Sequence, residues 1–219
     1  MIGDAGDPNN TIDKILQHDS FKDIKQPIVF DIVSCQFSMH YLFESESKIR
    51  AFLHNVSCRL EVGGFFIGST VDADKVISLV RAQGGEDLRI SNKFYSIQLG
   101  QNTYPKETMS PYGQKFFFYL KEAVGKERLS EGRPIYVPEY LVIFSHLEKL
   151  AEEYGLRLVE KRNFHEFYDR NIEDKNFERL FNLIVWKGLS DNPSEEDLAA
   201  QWEICGLYCI FAFEKIGRY

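Results

Sequence analysis

The stretch "FDIVSCQFSMHYLFES", Phe30 to Ser45, decides how this chain is read. Val29, Phe30, Ile32 and Val33 surround one charge at Asp31, and the run then passes through Ser34, Cys35, Gln36, His40 and Tyr41. "QPIVFDIVS", started by Pro27, is rich in β-branched residues and predicts a strand. Its apolar side chains are nearly continuous rather than alternating, the pattern of a strand buried on both faces of a parallel sheet. Packing alone gives such a strand no reason to end in small, polar and aromatic side chains. In open α/β sheets ligands bind beyond the carboxyl ends of the strands, where Ser34, Cys35 and Gln36 fall with His40 and Tyr41 just past them. A polar strand end that simply caps the next helix fits the same residues.

Outward from this run the chain alternates. "ESESKIRAFLHNVSCRL" places Ile49, Phe52, Leu53, Val56 and Leu60 at helical spacing. "EVGGFFIGSTV" reads as a tight turn at Gly63-Gly64 into a second apolar strand, and "DADKVISLVRAQGG" as a helix capped by Asp72 and ended by Gly84-Gly85. Strand, helix, strand, helix is the βαβ rhythm of an α/β sheet. Upstream, Thr11 to His18 predicts a short helix. Residues 88–125 break the rhythm and read as an inserted antiparallel hairpin. Beyond it, "PEYLVIFSHLEKLAEEYG" restarts a helix ended by Gly155, and "LRLVEKRNF" is a strand. "HEFYDRNIEDKNFERLFNLIVW" is helical, "SEEDLAAQWE" a short helix with a capping box at Ser194, and "GLYCIFAFEK" a final strand. Without repeats or linkers, residues 1–219 read as one domain.

The totals bound the function. At 219 residues, 44% apolar and 14% aromatic, the chain can bury a sizeable core. No apolar run approaches the roughly 18 residues needed to cross a bilayer, and "MIGDAGDPNN" lacks the layout of a signal peptide. The four cysteines form no CxxC pair, and Cys205 and Cys209, in or beside an apolar strand-like run, read as reduced packing residues of an intracellular protein. A net charge of −7 argues against broad, sequence-independent nucleic-acid binding but leaves room for a small nucleotide site.

Several candidate sites weaken on inspection. Cys35 with His40 would make a nucleophile pair, but nothing supplies an orienting third group or an oxyanion hole. Five scattered histidines never form a ligand-spaced pair, so no metal is expected. Gly63-Gly64 precedes a strand, not the helix N-terminus that cradles phosphate. "IGDAGDPNN" fits neither G-x-G-x-x-G nor a Walker loop. Glu139 follows Pro138 at an expected helix start, where the dipole favours a carboxylate anyway. Trp202 and Tyr208 would ordinarily be core aromatics.

Five segments nevertheless stand in a telling order: "FDIVSCQFSMHYLFES", "RLEVGGFFIGSTVDAD", "VPEYLVIF", "LAEEYGLRLVEKRNFHEFY" and "WEICGLYCIFAFEK". Together, over roughly Phe30 to Lys215, they resemble the eukaryotic mRNA cap guanine-N7 methyltransferases. The CQF-x-x-HY and VPE segments are the more specific; the glycine turn is shared by many methyltransferases. The resemblance implies a class I S-adenosylmethionine-dependent methyltransferase fold, Rossmann-like α/β with a mostly parallel sheet. It also implies a nuclear, RNA-binding enzyme of mRNA capping that methylates N7 of the cap guanosine. Carried over by position, Gln36 and Tyr41 match cofactor contacts, and Asp4, from a segment of variable length, matches the acidic residue near the adenine. His40, Glu139 and Tyr208 match residues around the cap guanosine. Since N7 of guanine already carries a lone pair, no catalytic general base is expected, only positioning and electrostatics.

The departure from the family lies ahead of Phe30. Members open with a strand, a D-x-G-x-G-like turn and an acidic residue that holds the cofactor ribose, and none of these is found here. The family's basic N-terminal region, expected to meet the triphosphate, is not found either. The expectation is therefore the C-terminal portion of such a domain, with activity of the chain alone doubtful. Three origins fit: a fragment of a longer enzyme, a partner of a separate N-terminal half, or a non-catalytic remnant that binds the cap or a protein. A small-molecule methyltransferase is the generic alternative. The implied partners are the capped 5′ end of mRNA and other capping proteins, with no membrane.

Overall fold

The computed structural model describes residues 5–9, 11–17, 28–100, 110–121, 123–127, 134–188 and 194–217. In chain order the elements are α1 (Ile12–Leu16), β1 (Phe30–Gln36), α2 (Met39–Leu42), α3 (Glu46–Cys58), β2 (Leu60–Val71) and α4 (Ala73–Gln83). Then come β3 (Arg89–Ser91), β4 (Tyr95–Leu99), β5 (Lys115–Leu120), β6 (Lys126–Glu127), β7 (Pro134–Ile135) and β8 (Val137–Tyr140). The chain closes with α5 (Phe144–Glu152), β9 (Leu156–Asn163), α6 (Phe164–Asn171), α7 (Lys175–Gly188), α8 (Glu195–Cys205) and β10 (Tyr208–Lys215).

The βαβ unit is there as read. α3 buries Ile49, Phe52, Leu53 and Val56 on one face, and Ser45 accepts a hydrogen bond from the Lys48 N–H at its start. Asp72 caps α4 through the Lys75 N–H, and Ser194 and Asp197 form the capping box of α8. The sheet built on this unit has the order β1-β2-β10-β9. β10 is antiparallel to both neighbours, so three strands run one way while only the β1–β2 pairing is parallel. The expected mostly parallel sheet is thus a mixed one.

Three local readings are corrected. β1 is not buried on both faces: Phe30, Asp31 and Ile32 are exposed, because β1 is the margin of its sheet among the described residues. Gly63-Gly64 is no turn before a strand but a bulge inside the single strand β2. The register jumps from Phe30↔Leu60 to Ile32↔Phe65, Gly63 takes φ +84°, and a Cβ on Gly64 would stand 2.8 Å from the Asp31 carbonyl oxygen. The inserted hairpin is a full second sheet, antiparallel and ordered β3-β4-β5-β8, which extends past residue 125 to Tyr140. Glu139 therefore lies in a strand, and the helix begins only at Phe144.

Each sheet has its own apolar layer. Met39, Phe43, Ile49, Leu53, Phe66, Leu147, Phe211 and Phe213 fill the first, and Val76, Val80, Tyr95, Ile97, Phe116, Phe118 and Leu141 the second. Among the described residues no helix is long and apolar enough to cross a membrane.

Candidate functional site

A cavity of about 410 Å³ opens where the two sheets meet. Its floor carries His40, Tyr41 and Glu139. One wall is aromatic, with Phe37, Phe164 and Tyr208 beside Ile204 and Cys205, and the other is apolar, with Phe118, Leu120, Ala123 and Val124.

The opening run builds the floor by an abrupt change of direction. At the end of β1 the Phe37 N–H donates to the Ser69 carbonyl at 2.9 Å, with Phe37 at φ +51°. Ser38 then starts the single turn of α2, its hydroxyl 3.2 Å from the Cys35 thiol. Cys35 is thus tied to Ser38 and makes no pair with His40. α2 sends Met39 and Leu42 into the core, buries His40 and leaves Tyr41 half exposed.

Glu139 arrives from the second sheet. In β8 it stands opposite Phe116 of β5, on the face that alternation turns toward the core. It is 2% exposed and His40 is 3% exposed. The Tyr41 hydroxyl donates to Glu139 Oε1 at 3.2 Å, and His40 Nε2 lies 3.5 Å from Glu139 Oε2. Among the described residues neither ring nitrogen of His40 has a hydrogen-bond partner, nor has Glu139 Oε2. Burial raises the Glu139 pKa to about 7, against a smaller lowering by the Tyr41 hydrogen bond, and burial lowers that of His40 to about 4. At neutral pH the imidazole is therefore neutral, and the two side chains are not an ion pair. Burial also holds Tyr41 up at about 12, with the Glu139 charge adding to it, and raises Tyr208 for the same two reasons. Polar groups stripped of water and left unpaired are costly, so such a floor is complementary to a ligand that supplies donors and acceptors.

His40, Glu139 and Tyr208, expected together from the sequence, are brought together, and Tyr41, expected beside a cofactor, joins them through Glu139. Gln36 stays apart at the exposed end of β1. Ser69 Oγ donates to its carbonyl oxygen at 2.7 Å, and its amide donates to Ser34 Oγ at 2.9 Å. One amide N–H and one lone pair remain for a ligand, so Gln36 fits the edge of a polar cofactor site. Asp4 lies outside the described residues. Trp202 is no core residue: it stacks on His165 at 4.4 Å and is 39% exposed. The walls from Phe37, Phe118, Phe164 and Cys205 escaped the sequence reading. Only Phe37 carried a signal, its place inside the opening run.

The chain matches the mRNA (guanine-N(7))-methyltransferase domain family over residues 6–216. It is 36% identical over 209 residues to the mRNA cap guanine-N(7) methyltransferase 1 of Arabidopsis thaliana, covering 94% of this chain and 51% of that protein. The mRNA cap guanine-N(7) methyltransferase of Schizosaccharomyces pombe is 34% identical over 215 residues, 97% of this chain and 54% of its own length. That of Saccharomyces cerevisiae is 35% identical over 210 residues, 91% and 44% of the respective lengths. The chain thus spans about half the length of the curated relatives it matches. On this similarity the chain belongs to the mRNA (guanine-N(7))-methyltransferase domain family.

Proposed function

We propose that the cavity binds the guanosine of an mRNA cap, and that the chain serves transfer of a methyl group from S-adenosylmethionine to guanine N7. The observation that carries this reading is the floor of the cavity, where Glu139 Oε2 and both His40 ring nitrogens are buried without partners among the described residues. Guanine offers adjacent donors on its Watson–Crick edge, which a carboxylate accepts, and a flat apolar body that suits the aromatic and aliphatic walls. The names of the relatives support the same substrate.

The chemistry asks little of a protein base, because N7 is unprotonated at neutral pH and attacks with its own lone pair. Bound S-adenosylmethionine supplies an electrophilic methyl group on a sulfonium centre. Gln36, at the carboxyl end of β1, is a described residue that would meet the cofactor, while Tyr41 stands in the cavity floor, bonded to Glu139. The protein's task is then orientation and the stabilisation of positive charge growing on the purine. Glu139 serves both, since guanine donors draw it back to the carboxylate. His40 and Tyr208 order the base or its ribose. The proposed substrate is the 5′ end of new transcripts, and a nuclear activity is proposed with it.

Calorimetric titration of this chain with the unmethylated cap dinucleotide GpppA tests the reading. Wild type is expected to bind, and Glu139→Gln to bind about 10–100-fold more weakly, as for a lost hydrogen bond to a charged group. Absence of binding by wild type, or equal affinity of the variant, sinks it.

A further inference from the structure

We propose that Asn163 is a positioning residue: together with His165 it clamps the carboxyl end of α8 and thereby sets the aromatic wall of the cavity. A helix leaves its last carbonyls without intrahelical donors. α8 has no basic residue in its last turn, and Gly206 after it keeps φ −67° rather than the left-handed conformation that commonly ends a helix. Side-chain donors come from the junction of β9 and α6. The Asn163 amide donates to the Gly206 carbonyl at 2.9 Å, and His165 Nε2 donates to the Trp202 carbonyl at 2.7 Å. Packing closes the same joint, since a Cβ on Gly206 would stand 2.5 Å from the His165 ring.

Asn163 ties down more than the helix end. Its amide also donates to Asp72 Oδ2 at 2.9 Å, and its side-chain carbonyl accepts the His165 N–H at 3.0 Å, which caps α6. Asp72 holds the adjoining turn in its own way, its N–H donating to the Leu207 carbonyl at 2.8 Å. Between the two clamping side chains sits Phe164, which lies in the cavity wall with its ring 5.9 Å from that of Tyr208. The clamped segment carries Ile204, Cys205 and Tyr208 into the same wall. One junction therefore fixes both halves of the wall against each other. On the reading of the cavity as a guanosine site, on which this inference rests, the wall is in place before the base arrives, and less ordering is left to binding.

Wild type, Asn163→Ser and Asn163→Ala test it, each melted and each titrated with GpppA well below its melting temperature. Both substitutions remove the amide donor, but serine keeps an acceptor for the His165 N–H and alanine does not. Asn163→Ser is expected to melt about 2–4 °C above Asn163→Ala, the effect of one helix cap. Both are expected to bind about 3–10-fold more weakly than wild type and within about twofold of each other, because both release the wall. A residue that only stabilised the fold would give folded variants of wild-type affinity. Wild-type affinity in Asn163→Ser overturns the positioning role while the guanosine reading stands. Affinity that falls further in Asn163→Ala than in Asn163→Ser, in step with melting, ties the loss to the α6 cap and overturns the clamp. No binding by wild type overturns the guanosine reading and the positioning role with it.

Discussion

Glu139 and His40 shape the protein's response to pH through opposite titrations. The folded protein holds a proton on Glu139 up to about pH 7, whereas an unfolded carboxyl releases it near 4.5. Between those values the unfolded state binds fewer protons, so this group lowers stability as pH rises. His40 works the other way, because the unfolded imidazole takes a proton near 6.5 that the folded one refuses until about 4. Its contribution falls as pH drops, and through about pH 4.5–6.5 the two slopes oppose each other. Glu139→Gln removes one of them. Its stability relative to wild type should grow from near zero at pH 4.5 to roughly 2–3 kcal/mol at pH 8, measured by urea unfolding. A difference that stays constant with pH would show that Glu139 is not held protonated. Of this pair the sequence showed the members but not their state. His40 and Glu139 stood out by resemblance, while their burial, the missing partners and the shifted protonation depend on neighbours almost a hundred residues away.

Elements were legible where one short-range rule sufficed. The 3.6-residue spacing in α3, the Asp72 cap of α4 and the Ser194 capping box of α8 all involve residues within a turn or two of one another. β8 was not legible: "VPEYLVIF" reads as the start of a helix, yet Val137–Tyr140 pairs with β5 across the second sheet. Strand propensity is largely a statement about the surface on which a segment packs, and here that surface is remote in sequence. The glycines of β2 follow the same logic. A Cβ on Gly68 would stand 2.2 Å from the Cys35 carbonyl oxygen and 2.4 Å from the Phe211 ring. Gly68→Ala should therefore push β1 and β10 away from β2, costing about 1–3 kcal/mol with a lower midpoint in chemical denaturation. An unchanged midpoint would mean the strands yield at no cost.

Over the whole molecule the last strand ties distant parts together. β10 lies between β2 and β9, brings Tyr208 to the cavity at one end and carries Lys215 at the other. Lys215 is 3% exposed, and its ammonium group donates to the Ser57 carbonyl at 3.1 Å, the Ser57 hydroxyl and the Tyr154 carbonyl at 3.2 Å. It joins the end of α3 to the turn between α5 and β9. Lys215→Ala leaves those buried oxygens with fewer donors and should cost about 2–4 kcal/mol in denaturant unfolding. Stability within error of wild type would show that solvent replaces the ammonium group.

By itself the sequence determined the α/β class, the first βαβ unit, the helix caps and, by resemblance, the residues His40, Glu139 and Tyr208. Those follow from side-chain periodicity, local hydrogen bonding and residue order, which a chain carries whatever its tertiary partners. Only the tertiary structure decided that the insertion is a second sheet, that β1 is a sheet margin among the described residues, and that His40 and Glu139 are buried side by side in the cavity floor. Each of these depends on what packs or pairs from elsewhere in the chain, and burial, register and desolvation exist only once those segments have met.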